Sequence, residues 1–130
     1  MKLNSTSMKS LSALIIFIAL LQSTFSFACT AWTQKADFGG PPRARAVGFS
    51  IDSKGYIGLG TVIAWAYFDF WEYDPGSDTW SQKADYVGEE NSAVGFSIGS
   101  KGYIGTGFGF GNNFWEYDPS GNTWTQKTDF

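Results

Sequence analysis

The amino-acid sequence predicts an all-β protein built from repeated four-stranded antiparallel sheets, and three observations predict it. One phrase stands twice, as FWEYDPGSDTWSQKAD at residues 70–85 and FWEYDPSGNTWTQKTD at residues 114–129. Its tail, WTQKADF, stands a third time at residues 32–38. From Trp32 onward, short runs rich in aromatic and β-branched residues alternate with clusters of Gly, Asp, Asn, Ser and Pro, with no helical periodicity. Runs and breakers in that order are the pattern of strands and turns. Self-similarity at a fixed period makes each run part of a repeated supersecondary unit.

The N-terminus reads differently. Lys2 and Lys9 precede an apolar run at residues 11–21 (LSALIIFIALL), followed by Gln22-Ser23-Thr24 and then Ser26-Phe27-Ala28. A basic region, a short apolar core and a small-x-small site are the parts of a secretory signal peptide, expected over residues 1–28 with its apolar part helical. The run is shorter than the ~20 residues a spanning helix needs, so no membrane-spanning helix is expected in the mature chain, residues 29–130. Export to the medium, the periplasm or the cell surface follows. Cys29 is the single cysteine, which rules out an intrachain disulfide. It stands just after the expected cleavage site, where bacterial lipoproteins carry their lipid. That pattern wants Leu three residues earlier and Ser26 stands there, so ordinary cleavage is preferred and lipidation at Cys29 is the alternative. The chain carries a net charge of −3, and losing Lys2 and Lys9 makes it more acidic, so no nucleic-acid partner is expected.

The repeat is laid out in order by aligning its two copies. RAVGFSI at residues 45–51 matches SAVGFSI at residues 92–98. DSKG at residues 52–55 matches GSKG at residues 99–102, a tight turn with glycine available for φ > 0. YIGLG at residues 56–60 matches YIGTG at residues 103–107, and the long phrase closes each copy. Four short strands in an antiparallel meander are thus expected over residues 45–85 and again over residues 92–129, with residues 32–37 as a lone fourth strand. Alternation puts Val47, Phe49 and Ile51 on one face of the first strand and Ala46, Gly48 and Ser50 on the other. In the third strand Trp71 and Tyr73 share one face, and Phe70, Glu72 and Asp74 the opposite one. Asp74-Pro75 and Asp118-Pro119 end that strand, because proline donates nothing to a ladder.

The period, from Trp32 to Trp80 and on to Trp124, falls in the range of the ~40–50-residue β-repeats. A strand ending in Gly58-Leu59-Gly60 or Gly105-Thr106-Gly107, then a Tyr and a Trp set around an Asp-Pro turn, resembles the kelch repeat, although that family carries a Gly-Gly pair there. There is no Trp-Asp dipeptide and no histidine, which sets the WD40 repeat aside. The resemblance covers residues 32–130 and is nearest to kelch-type propeller proteins exported by bacteria. It implies blades of a β-propeller, each sandwiched by its neighbours. A closed propeller takes ~4–8 blades, so two imply an incomplete propeller. The chain is then a piece of a longer propeller, the reading the lone strand favours, or copies associate into a ring. Either way, exposed blade faces are open to self-association.

Residues that do not repeat are freer to serve a site than those that do. Glu72 and Glu116, Asp74 and Asp118, and Lys54 and Lys101 recur in both copies and read as turn formers and edge charges. The glycines at 105, 107, 109 and 111 miss the G-x-G-x-x-G spacing, and no helix follows to hold a phosphate. Copper-radical oxidases of kelch type need histidine, which this chain lacks. Glu89 and Glu90 are adjacent and point opposite ways on an extended chain. No catalytic, cofactor-binding or metal-binding residue is therefore expected. Two segments are unique to one copy. Residues 38–44 with Arg45 bring two arginines, and residues 61–69 (TVIAWAYFD) are aromatic. The kelch resemblance implies that such loops frame the binding face, making Arg43, Arg45, Trp65, Tyr67 and Phe68 the candidate ligand-binding residues. The expected protein is an exported, non-catalytic kelch-repeat binding or interaction module for a protein or carbohydrate ligand. One alternative is a fragment of a kelch-type carbohydrate-active enzyme, such as a sugar mutarotase, with its active site in other blades. Another is a two-blade protomer of a self-assembled ring.

Overall fold

A computed structural model describes residues 31–130 apart from 64, 90, 91, 109–111 and 130. The expected signal peptide and Cys29 lie outside the described residues. The chain divides into two compact units, Met1–Thr33 and Gln34–Phe130. Of the first, Ala31, Trp32 and Thr33 are described; they are exposed and form no strand.

The second unit is all-β among its described residues. Its first sheet contains β1 (Val47–Ile51), β2 (Lys54–Gly58), β5 (Phe70–Asp74) and β6 (Thr79–Lys83), hydrogen-bonded in that order. The second sheet contains β7 (Val94–Ile98), β8 (Lys101–Gly105), β9 (Phe114–Asp118) and β10 (Thr123–Gln126), again in chain order and antiparallel throughout. Registers coincide: Phe49 faces Tyr56 and Tyr73 faces Trp80 in the first sheet, as Phe96 faces Tyr103 and Tyr117 faces Trp124 in the second. Residues 61–69, expected as a plain loop, instead fold a hairpin of β3 (Thr61–Val62) and β4 (Trp65–Ala66).

The turns carry the same backbone in both copies. Asp52 and Gly99 have φ of 51° and 57°, and Asp78 and Asn122 have φ of 55° and 52°. Short polar side chains and glycine tolerate this left-handed region best. Gly55 and Gly102 are strand residues rather than the left-handed turn glycines. The small size of Gly102 serves packing against Phe49.

Large residues of the first sheet lie against the glycine-bearing face of the second. Val47, Ile51, Tyr56 and Phe70 are buried, with Phe49 packed beside them, and they meet Ile104, Tyr117 and Trp124. Phe70 makes edge contacts with the rings of Tyr117 and Trp124 at 4.9 and 5.0 Å. A Cβ on Gly95 would overlap Val47, and one on Gly102 would overlap the Phe49 ring. Glycine therefore allows the sheets to come together at this distance. Burying aromatic residues here contributes the main apolar stabilisation, at about 25 cal/mol per Å² removed from water.

The link between the sheets is held by one recurring clasp. Asn122 accepts from the Ala84 N–H at 2.9 Å and the Tyr117 hydroxyl at 2.9 Å, while Trp124 Nε1 donates to the Ala84 carbonyl at 3.0 Å. Tyr86 then packs edge-on to Trp124 and Trp115. The first sheet holds Ala36 in the same way, through Asp78 at 3.1 Å and Trp80 at 3.1 Å, with Phe38 edge-on to Trp71 and Trp80. Residues 32–37, expected as a lone fourth strand, form no ladder here. A strand needs a neighbour to accept its hydrogen bonds, and Ala36 bonds instead to the clasp.

Candidate binding rim

Two loops meet at the end of the first sheet away from its β1–β2 turn. Ala44 and Thr61 exchange backbone hydrogen bonds at 2.9 and 2.8 Å, which ties the segment before β1 to the hairpin. The Tyr67 N–H donates to the Gly60 carbonyl at 2.8 Å, and the Leu59 N–H to the Asp69 carbonyl at 3.3 Å. The hairpin is thus sewn down at both ends.

Arg43 forms the base of this rim. Its side chain is 3% exposed. It donates to both Asp69 carboxylate oxygens at 2.7 and 2.6 Å and to the Leu59 carbonyl at 3.0 Å. The guanidinium lies 5.0 Å from the Phe38 ring centre and 4.7 Å from that of Tyr67. A planar fork with five donors suits this position, because it pairs bidentately and stacks on rings at once. Burial pushes the Asp69 carboxyl up, but hydrogen bonds from Arg43 and Trp71 outweigh it and hold the group below its ordinary value. Trp71 Nε1 donates to Asp69 Oδ2 at 2.6 Å. Arg43 and Tyr67 are therefore committed to the scaffold.

The other candidates face outward. Arg45, at φ 58°, is exposed and lines a shallow groove of about 510 Å³ with Pro42, Arg43, Ala44, Thr61, Val62 and Ile63. Trp65 is 75% exposed on β4, Ile63 is fully exposed at the hairpin tip with φ 48°, and Phe68 is at the margin of exposure. The five residues singled out from the sequence thus divide. Arg43 and Tyr67 support, while Arg45, Trp65 and Phe68 present. Asp69 and Ile63 were not among them. Asp69 closes an aromatic run, and a carboxylate there is a readable signal for a nearby cation. Ile63 gave no such signal, since its exposure follows from the hairpin.

A second charged cluster centres on Glu72, midway along β5. Glu72, 7% exposed, accepts from Lys54 at 2.8 Å and from the Tyr56 hydroxyl at 2.7 Å, and Lys83 approaches at 3.2 Å. Burial pushes the Glu72 carboxyl up, yet hydrogen bonds from Lys54, Tyr56 and Lys83 hold it below the ordinary range. In the second sheet Glu116 pairs with Tyr103 and Lys127 in a more open setting. Recurrence gives the cluster a structural role, as the sequence implied, although the burial of Glu72 exceeds that of an edge charge. Among the described residues no group of His, Cys, Asp and Glu is placed to hold a metal ion, and no helix is long and apolar enough to cross a membrane.

Fold and rim together define an all-β, repeat-built protein whose sheets carry a presented hairpin. No family model matches the chain, and no curated protein matches it. Among solved structures it is similar to YjhT, with a TM-score of 0.65 and 19% identity over 77% of this chain. It spans 42% of the YjhT chain, and the likeness is one of fold.

Proposed function

We infer that the protein is an exported, non-catalytic binding module made of kelch-type blades, with a carbohydrate or protein as ligand taken at the hairpin rim. The observation that carries this reading is the pairing of a rigid base with a presented aromatic. Arg43 and Asp69 satisfy each other beneath the hairpin, while Trp65 and Ile63 project above it. An exposed tryptophan on a backbone tied at both ends loses little entropy on binding, and its flat face suits a sugar ring or an apolar side chain. General acid–base work needs free groups converging on a pocket; the residues lining this groove include no carboxylate, and Asp69 is tied to Arg43. Kelch identity is supported by the recurring Tyr, Asp or Asn and Trp clasp, export by the order of basic, apolar and small residues before Cys29.

The test is a glycan array and a panel of secreted or surface proteins, probed with the wild type and with Trp65→Ala. Binding lost in Trp65→Ala with the far-ultraviolet circular dichroism unchanged supports the rim. Binding that survives the substitution, or a fold that collapses with it, overturns it.

A further inference from the structure

The two sheets repeat not only a backbone but a packing surface, and one copy of that surface is open. In the first sheet the rings of Phe49 and Phe70 each stack on Tyr56, at 6.0 and 5.7 Å, lie tilted to one another at 5.8 Å, and are covered by the second sheet. In the second sheet the corresponding rings of Phe96, Tyr103 and Phe114 stack at 5.5–6.0 Å. Here Val94 is 60% exposed, Phe96 41% and Ile98 64%, whereas Val47 and Ile51 are 4% and 2%. The knob side of the internal interface thus recurs uncovered.

Its socket recurs as well, on the other face of the first sheet. Gly95 and Gly102 admit Val47 and Phe49 in the internal interface. Their counterparts Gly48 and Gly55 open outward. A Cβ on Gly48 would come no nearer than 3.5 Å to another atom, and one on Gly55 no nearer than 3.8 Å. Ile57 and Tyr73, counterparts of the fully buried Ile104 and Tyr117, are half-buried. One end of the chain therefore carries the knobs and the other end the holes of an interface whose fit the molecule already shows.

We propose that a second copy of this chain seats the Gly48–Gly55 face of its first sheet on the Val94–Phe96–Ile98 face of the second sheet, repeating the internal interface head to tail. Such an interface is heterologous, and it yields a ring or an open chain according to the rotation per step. One position is claimed twice. The tail of β10 in one copy and residues 32–38 of the next would both reach the Asp78–Trp80 clasp. Their sequences, WTQKTDF and WTQKADF, differ at one residue, so either fills the place and the other is released. The proposal concerns the sheet faces and is separate from the hairpin rim.

The experiment is sedimentation velocity on the full chain with three variants. Wild type is expected to sediment as a concentration-dependent oligomer. Gly55→Val fills the socket where the monomer has room, and Ile98→Asp charges the knob face; each alone is expected to sediment as monomer with unchanged circular dichroism. Mixed, the two are expected to form a one-to-one dimer, because each retains the face the other has lost. A monomeric wild type overturns the proposal. So does Gly55→Val that assembles like the wild type, the result expected of face-to-face pairing or of association through the apolar run at residues 11–21. Gly102→Val, the buried counterpart, should lower the unfolding midpoint, which separates loss of assembly from loss of fold.

Discussion

Asp78 and Asn122 hold the same place in the two sheets and gather the same donors. Each accepts from the tyrosine of its own sheet, at 2.6 Å for Tyr73 and 2.9 Å for Tyr117. Each also accepts the backbone N–H of an incoming segment, Ala36 or Ala84. One residue is charged and the other neutral. The clasp therefore needs an oxygen acceptor on a short side chain at positive φ, and charge is secondary.

It follows that Asp78→Asn should be well tolerated, whereas Asp78→Ala strands two donors and should lower the urea midpoint. The Tyr73 hydroxyl and the Ala36 N–H hold the Asp78 carboxyl below its ordinary value. A depressed carboxylate adds stability above its unfolded pKa, lost as pH falls through the folded one. Urea titrations between pH 5 and pH 2 should show a shallower acid decline for Asp78→Asn than for the wild type.

Glycine pairs give a sharper contrast. Gly102→Ala drives a Cβ into the Phe49 ring and should destabilise by about 1–3 kcal/mol, as overpacking does. Gly55→Ala, in the same sequence context but with open space before it, should fall within about 0.5 kcal/mol of wild type. Equilibrium urea unfolding at one pH checks both.

The alkaline limb belongs to the tyrosines. The Asp78 carboxylate beside Tyr73 pushes its hydroxyl up to about 12, and burial pushes Tyr117 to about 12. A raised pKa means stability fully present below the unfolded value near 10 and lost as pH rises through the folded one. Tyrosinate absorbance and circular dichroism should therefore change together between about pH 10 and 12. Ionisation of Tyr73 or Tyr117 near pH 10 with the fold intact, isolated by difference against Tyr73→Phe and Tyr117→Phe, would contradict the clasp.

Arg43→Lys should fail despite keeping its charge. Lysine cannot fork onto Asp69 while also reaching the Leu59 carbonyl, so a buried acceptor is left unpaired at a cost of about 1–3 kcal/mol. Thermal unfolding measures it, and proteolysis at the hairpin should accelerate with it.

Much of the fold was legible. Both copies of each strand could be aligned by residue, and the registers follow that alignment because the turns and tyrosines recur with the strands. The hairpin of β3 and β4 was not legible, since its strands are two residues each and carry no period. The candidate site was half legible. An arginine unique to one copy marked the loop before β1, but its partner lies across the chain at Asp69, and that pairing makes Arg43 a foundation rather than a presented residue.

VGFSI states the division most simply. It occurs at residues 47–51 and at residues 94–98, and in both places local sequence by itself determines a strand with Val, Phe and Ile on one face. Burial is another matter. Val47 and Ile51 are covered and Val94 and Ile98 are exposed, because only tertiary structure decides which face finds the glycines of another sheet. The sequence specified the knobs and the holes; packing decided which of them met.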